Sequence, residues 1–499
     1  MSIDFDSVSP TRAASGTFFE QKGIRSSLGS LVIEHIAVLL GQFNSGFSPT
    51  PNVPQLVDGS EDVASRAGRG SMLHRMAIFA ASQAPTTKLY IVPIADAENS
   101  EAATGSIALS GDAITKAGTM HRFIGGKKVS IPCSVGDTPA IIAARIKTLV
   151  DAALDFPVAV TVSAGTATLA AKWKGTLGNG IRIQKDLDTG DLADEPAGLT
   201  ETITQMASGT GSPDPTAALA SLGGIWFTAI ANPYADSTGI ADLELAGANR
   251  SNPATVNLPF MGCVGFTGSK ADFITAVSAR NSKFVSWVPV EDSPTPSYEI
   301  AASAAALYAS RQEVAPGTPM RGRTLVGVRA GQAVAWNGTE EDTVVKAGGS
   351  TTRANADGTV KMQDFVTTYK TNAAGAVDEL YRFTCWLGNW QFKLYSLNAL
   401  YNADPFIDSL TEDDGSKSEV SYAISPKIVK TFAIQLIDQL WVKYGLTKNR
   451  DEVVKGIKTE IDSGNPGRIN LFIPDVFSAG LRIIAGKIQW SFYAPAQAA

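Results

Sequence analysis

Histidine is the usual general base near neutral pH, and the chain holds only His35, His74 and His121, each in a different segment. His35 sits inside an apolar run and His74 among Met72, Leu73 and Met76, so both read as structural residues rather than members of a catalytic group. A serine nucleophile on a sharp strand-to-helix turn needs the G-x-S-x-G pattern, which is missing. The stretch "GRGSM", Gly68 to Met72, has the outline of a glycine-flanked nucleophile or phosphate loop but lacks the third glycine. "IGGKKV", Ile124 to Val129, contains a Gly-Lys step. A phosphate-binding lysine loop also needs a glycine five residues earlier and a Ser or Thr after the lysine, where His121 and Lys128 stand, so a hairpin turn is the simpler reading. Glu412, Asp413 and Asp414 crowd into "TEDDGSKSE", which reads as solvated surface, with an isolated calcium contact as the alternative. Cys133, Cys263 and Cys385 are too far apart for a zinc spacing and too few for a disulfide framework, so they read as buried small side chains. The sequence thus predicts no cofactor, no metal site and no enzyme, and a function carried by surfaces and edges.

Bulk properties agree. The 499 residues exceed one ordinary domain, and 44% hydrophobic with 18% charged residues describes a folded chain with several cores. A net charge of −6 argues against a phosphate-binding surface, so no direct nucleic-acid partner is expected. "MSIDFDSVSPTR" lacks the basic start and apolar run of a signal peptide, and no run of about 18 apolar residues follows, so neither export by that route nor membrane insertion is expected.

The elements that would position these residues predict a multidomain α/β protein. Residues 1–28 read as an N-terminal arm. Residues 29–99 give a strand in "SLVIEHIAVLLGQF", one helix from an N-cap at Ser60 to about Gln83, and a strand in "TKLYIVPIAD", a unit that builds parallel sheets. Residues 100–190 change to short alternating runs with glycine turns, a small inserted β-rich module with one helix carrying Ile142, Ile146, Leu149 and Ala153 on a face. Residues 191–330 resume the helix and strand alternation. Residues 331–481 predict an α+β region, opening with a hairpin at Asn337-Gly338. It continues with a helix from Ser425-Pro426, then a helix from Asn449 with Val453, Ile457 and Ile461 in one stripe. Residues 482–499 form the last unit. There Ile484, Gly486, Ile488, Trp490 and Phe492 alternate with polar or small residues, the pattern of a half-buried strand that must find a sheet in its own chain or in another.

The order of several segments resembles the tail sheath proteins of contractile phages, in particular the Mu-like branch. They are "GRGSMLHRMAIFAAS" with "TKLYIVPIAD", "KGTLGNGIRI", the Pro233-Tyr234 strand end and "ARNSKFVSWVPVEDSPTPSYEIAASAA". "TTYKTNAAGAVDELY", "YAISPKIVKTFAIQLIDQLW" and "GRINLFIPDVFSAGLRIIAGKIQW" complete the series. No single motif decides; collinearity from about residue 30 to the end carries the likeness. The resemblance implies a subtilisin-like central α/β domain without protease activity, a C-terminal α+β domain, and terminal strand arms. It implies a virion subunit, made and assembled in the host cytoplasm, that stacks as hexameric rings in a helical sleeve around the tail tube. The sleeve contracts to drive that tube through the cell envelope, and its other partners are baseplate and tail terminator proteins.

The same resemblance favours intermolecular pairing of Ile484, Ile488, Trp490 and Phe492, beside an arm strand near Phe18 and Phe19 of another subunit, over self-pairing to "RINLFIP". It also offers the basic residues Lys443, Lys448, Arg450, Lys455 and Lys458 as a tube-facing edge, against an ordinary solvated face. Another virion component, a baseplate or capsid protein, and an unrecognised α/β hydrolase are the competing readings.

Overall fold

In the computed structural model, residues 33–490 are described apart from 186, 189, 332–334, 416–421 and 489. The run Ile36–Gln42 (β1) is apolar as far as Gly41 and buried along its whole length, as a strand covered on both faces must be. It pairs in parallel with Lys88–Ile94 (β3), whose edge is covered by the short antiparallel strand Gln55–Val57 (β2). The single helix expected over 60–83 is two: α1 (Ser60–Ala67) and α2 (Met72–Gln83). Gly68 and Gly70 between them hold φ of 90° and 73°, outside helical backbone space, and Ser60 is the first helical residue rather than the cap. Ser71 caps α2, its hydroxyl accepting the His74 amide at 3.1 Å.

Seven strands and one long helix follow: β4 (Thr104–Ser110), β5 (Gly118–Ile124), β6 (Lys127–Cys133), α3 (Pro139–Ala152), β7 (Val158–Ser163), β8 (Thr166–Ala171), β9 (Ile183–Gln184) and β10 (Thr200–Ala207). They form an antiparallel sheet in the order β10-β4-β8-β7 and a smaller one in the order β6-β5-β9. Ile142 and Ile146 of α3 are fully buried against them, with Leu149 and Ala153 partly so. Gly125 and Gly126, at φ 55° and 73°, turn the β5–β6 hairpin, the reading preferred for "IGGKKV". β10 lies in the stretch expected to resume the α/β alternation, yet it zips onto β4 from Thr200↔Ser110.

The chain then returns to the central sheet through α4 (Thr216–Ala220), β11 (Ala229–Ala231), α5 (Ser237–Ser251), β12 (Met261–Phe266), α6 (Lys270–Ser278), β13 (Val285–Pro289) and α7 (Ser297–Val314). The sheet order is β13-β12-β11-β1-β3-β2, parallel except for β2. One face packs on α2, α7 and the module in a shared core that includes Met76, Trp173, Tyr298 and Ile300. The other packs on α5 and α6 through Ile240, Leu243, Phe273 and Val277.

Beyond α7, β14 (Thr324–Arg329) is followed by α8 (Gly338–Ala347), β15 (Thr351–Ala354), β16 (Thr359–Asp364) and α9 (Cys385–Tyr401). The hairpin expected at Asn337-Gly338 is instead the start of α8. The Asn337 side chain accepts the Thr339 and Glu340 amides while Glu340 reaches back to the Asn337 amide, a reciprocal cap. The last lobe holds β17 (Leu410–Thr411), β18 (Ala423–Ile424), α10 (Pro426–Leu436) running into a wider turn at Ile437–Val442, α11 (Arg450–Gly456), β19 (Lys458–Asp462) and β20 (Asn465–Phe472). The stripe expected in one helix is divided: Val453 lies in α11, Ile457 caps its end, and Ile461 is in β19, paired with Ile469.

Candidate assembly interface

The residues with chemical potential are tied up in structure. His35 is 1% exposed with neither ring nitrogen hydrogen-bonded, and burial lowers its pKa to about 3. His74 Nδ1 accepts the Gly70 amide at 2.9 Å, and burial, ahead of the surrounding charges, lowers its pKa to about 4. His121 faces Ser130 across the β5–β6 pair, Nδ1 to hydroxyl 2.9 Å. The "GRGSM" loop is a joint: Lys172 donates to the Arg69 and Leu154 carbonyls, and a Cβ on Gly70 would stand 2.2 Å from the Phe156 carbonyl oxygen. The Gly68, Gly70 and Ser71 amides donate within the joint, to the Ala64 carbonyl, His74 Nδ1 and the Gly68 carbonyl, rather than standing open to a phosphate. Asp414 accepts the Lys427 amide at 2.8 Å, satisfying one of the free donors at the start of α10. All three cysteines are buried free thiols. Among the described residues no group of three His, Cys, Asp or Glu could hold a metal, and no helix is long and apolar enough to cross a membrane.

The surfaces differ from this quiet interior. Leu481, Ile483, Ile484 and Ile488 are 72%, 74%, 82% and 90% exposed, a run of large apolar side chains on no sheet, and Trp490 is exposed as well. Self-pairing to "RINLFIP" does not form among the described residues: that stretch belongs to β20, whose partner is β19. Phe18, Phe19 and Phe492 lie outside the described residues. Among the described residues the β19–β20 ribbon has two strands, packed through Leu471 against the lobe's core, and a ribbon of this size has edges able to accept further strands.

The root of the exposed run is, by contrast, fastened. Lys393, on α9 and 1% exposed, pairs with Asp475, donates to the Leu446 carbonyl at 3.1 Å, and lies 4.0 Å from the Phe477 ring centroid. Asp475 also accepts the Thr447 hydroxyl at 2.8 Å. Ile33, where the described chain begins, is buried in the same lobe's core with Phe392, Leu440, Trp441 and Leu446. The described chain therefore begins in the lobe to which the root of the exposed run is fastened. No local sequence signal announced this, because Lys393 lies in α9, a helix that the hydrophobic pattern did not reveal.

The five basic residues do not share a helix edge. Lys443 follows the wide turn after α10, Lys448 is in a loop, Arg450 and Lys455 are in α11, and Lys458 opens β19. Arg450 is engaged by Asp438 at 2.7 Å and Asp451 at 2.9 Å, whereas the four exposed lysines form no ion pair among the described residues.

No family model matches the sequence. Along almost its whole length the chain is similar to a tail sheath protein of a Mu-like prophage. It is 27% identical over 491 residues to the Mu-like prophage FluMu tail sheath protein of Haemophilus influenzae, the match covering 98% of this chain and 100% of that one. Solved structures similar to it include a sheath tail protein from Desulfitobacterium hafniense (12% identical, TM-score 0.48, covering 93% of this chain and 100% of that one). A sheath tail protein from Listeria innocua (13% identical, TM-score 0.46) covers 89% of this chain and 95% of its own.

Proposed function

We propose that this chain is the structural subunit of a contractile tail sheath, assembling with copies of itself around a tail tube and meeting baseplate and terminator proteins at its ends. The observation that carries the reading is the end-to-end match to a tail sheath protein. The exposed apolar run at residues 481–488 supports it, since a soluble monomer gains nothing from leaving four such side chains in water. On this reading subunits stack as hexameric rings in the virion after assembly in the host cytoplasm, and contraction of the stack drives the tube through the envelope. The central parallel sheet with helices on both faces is the counterpart of the subtilisin-like domain, with residues 100–190 as its insertion, extended to β10. Its role is scaffolding rather than proteolysis. The arm Ile484, Ile488, Trp490 and Phe492 adds a strand to a neighbouring subunit's sheet, for which the β19–β20 ribbon is the acceptor this chain offers, alongside the N-terminal arm with Phe18 and Phe19. A helical polymer needs such heterologous contacts in addition to ring contacts.

One experiment tests the reading. The full chain, a variant ending at Arg482, and a K455E/K458E variant are incubated with and without tail tubes and viewed by negative-stain electron microscopy. The full chain is expected to give sleeves or stacked rings, the truncated one folded monomers without polymers, and the charge-reversed one impaired assembly on tubes. Compact monomers from the full chain at all concentrations would overturn the sheath reading, and rings that never stack would favour a baseplate or capsid component. Normal sleeves from K455E/K458E would remove the lysines alone.

A further inference from the structure

The C-terminal segment does not simply peel off the body after β20. It is held at two separated points, and between them it lies flat. The first point is the buried Lys393–Asp475 pair, closed over by Trp441 and Phe477 and extended by the bonds of Lys448 and Ser478 amides to the Val476 and Leu446 carbonyls at 2.8 Å and 3.0 Å. The second is Arg482. Its guanidinium stacks 3.4 Å from the Phe383 ring centroid and pairs with Asp364 at 3.2 Å, while its carbonyl accepts from Arg321 at 2.6 Å. Between the two, a Cβ on Gly480 would come within 2.8 Å of Pro319, so the strap there rests directly on the body. Within the strap the exposed residues Val476, Ala479 and Leu481 are interspersed with covered ones, of which Arg482, with 20% of its side chain in solvent, is the last; from Ile483 to Ile488 every residue is exposed.

We propose that residues 474–482 are a clamped strap that moves with the body, and that the arm becomes free to reorient only from Ile483 onward. The two clamps differ in chemistry. The first is a desolvated ion pair whose members cannot be lost singly without stranding the other charge. The second is a planar guanidinium stacked on an aromatic face and donating from Nε to a carboxylate, a geometry for which lysine is no substitute. Taken with the sheath reading, on which its mechanical role rests, the strap is where a load entering through the arm passes into α9 and the lobe core. That places Arg482, rather than any residue of the arm strand, at the joint.

Trypsin reads the joint directly, because the tail offers it two sites, Arg482 and Lys487. Intact-mass analysis of the dilute full-length protein is expected to show loss of residues 488–499 well before loss of 483–499, with cleavage after Arg482 roughly tenfold or more slower, since cleavage follows the population in which a site is open. In Asp364→Asn the lag should shorten severalfold with an unchanged melting temperature. In Asp475→Asn, hydrogen exchange of the Ser478 amide should accelerate while Arg482 stays protected. Equal cleavage rates at both sites in the wild-type chain would overturn the proposal, as would an Asp364→Asn variant, folded by its melting transition, that keeps the full lag. Should the variants fail to fold, the wild-type ratio and the Ser478 exchange rate decide alone. All of this is read on unassembled protein, so a failure to polymerise would count against the sheath reading and leave the strap standing.

Discussion

His35 shows how a residue suited to acid-base work becomes a liability the fold has to carry. It is buried on β1's approach with two unpartnered ring nitrogens, so only the neutral ring is tolerated and its pKa falls to about 3. The unfolded ring titrates near 6.5, so on acidification the unfolded chain takes up the proton first. Stability is full above pH 6.5 and is lost as the pH falls toward 3. Between pH 7 and pH 4 this one group removes roughly 3 kcal/mol. His74, lowered to about 4 mainly by burial, acts in the same direction. Denaturant midpoints of the unassembled chain should therefore fall steeply over that range, and His35→Leu, close in volume and free of unpaired nitrogens, should flatten the fall. A mutant slope equal to that of the wild type would show that other groups carry the acid sensitivity.

At the scale of elements, the sequence was legible wherever one pattern stood alone. β1, β3, β12 and β13 are short apolar runs between turn residues, and α3 shows its buried stripe. It misled where two local codes overlapped. Asn-Gly is a hairpin signal, but Asn337 followed by Glu340 is also a capping pair, and the residues after it, "TEEDTVVKA", lack the alternation a strand requires. α9 stayed hidden because its polar residues Asn389, Gln391, Lys393 and Ser396 are buried along with Leu387, Phe392 and Leu394, so polarity does not mark an outer face from which to read its period. The two readings of Asn337 separate cleanly by mutation. Asn337→Ala should cost about 1 kcal/mol through the lost cap. Gly338→Ala should cost nothing or stabilise slightly, because Gly338 is the first helical residue, has nothing within 4 Å of a Cβ, and needs no positive φ. A large loss from Gly338→Ala in thermal unfolding would restore the hairpin.

For the whole molecule, what no local pattern could reveal is how firmly the parts are joined. The module meets the central sheet in one continuous core, where Trp173 stacks edge-on to Tyr298 at 5.5 Å, and Arg182–Asp292 and Arg329–Asp188 pairs cross the seam. The last lobe is joined through α9, where buried Gln391 donates to the Thr228 and Pro259 carbonyls and accepts the Tyr308 hydroxyl at 2.9 Å. Prising either part away would expose aromatic side chains worth about 1.5–3 kcal/mol each and strand buried polar groups as well. A subunit built this way can change its neighbours more cheaply than its own shape, so on the sheath reading contraction must repack subunits against one another while the arms stay paired. Structures of the extended and contracted assemblies, superposed on the central sheet, should place the module and the last lobe within about 1 Å backbone deviation, the range of preformed partners. The rotation should be concentrated at Ile483. A module swung by several ångströms, or an arm strand unpaired in one state, would mean that energy is stored inside the subunit rather than between subunits.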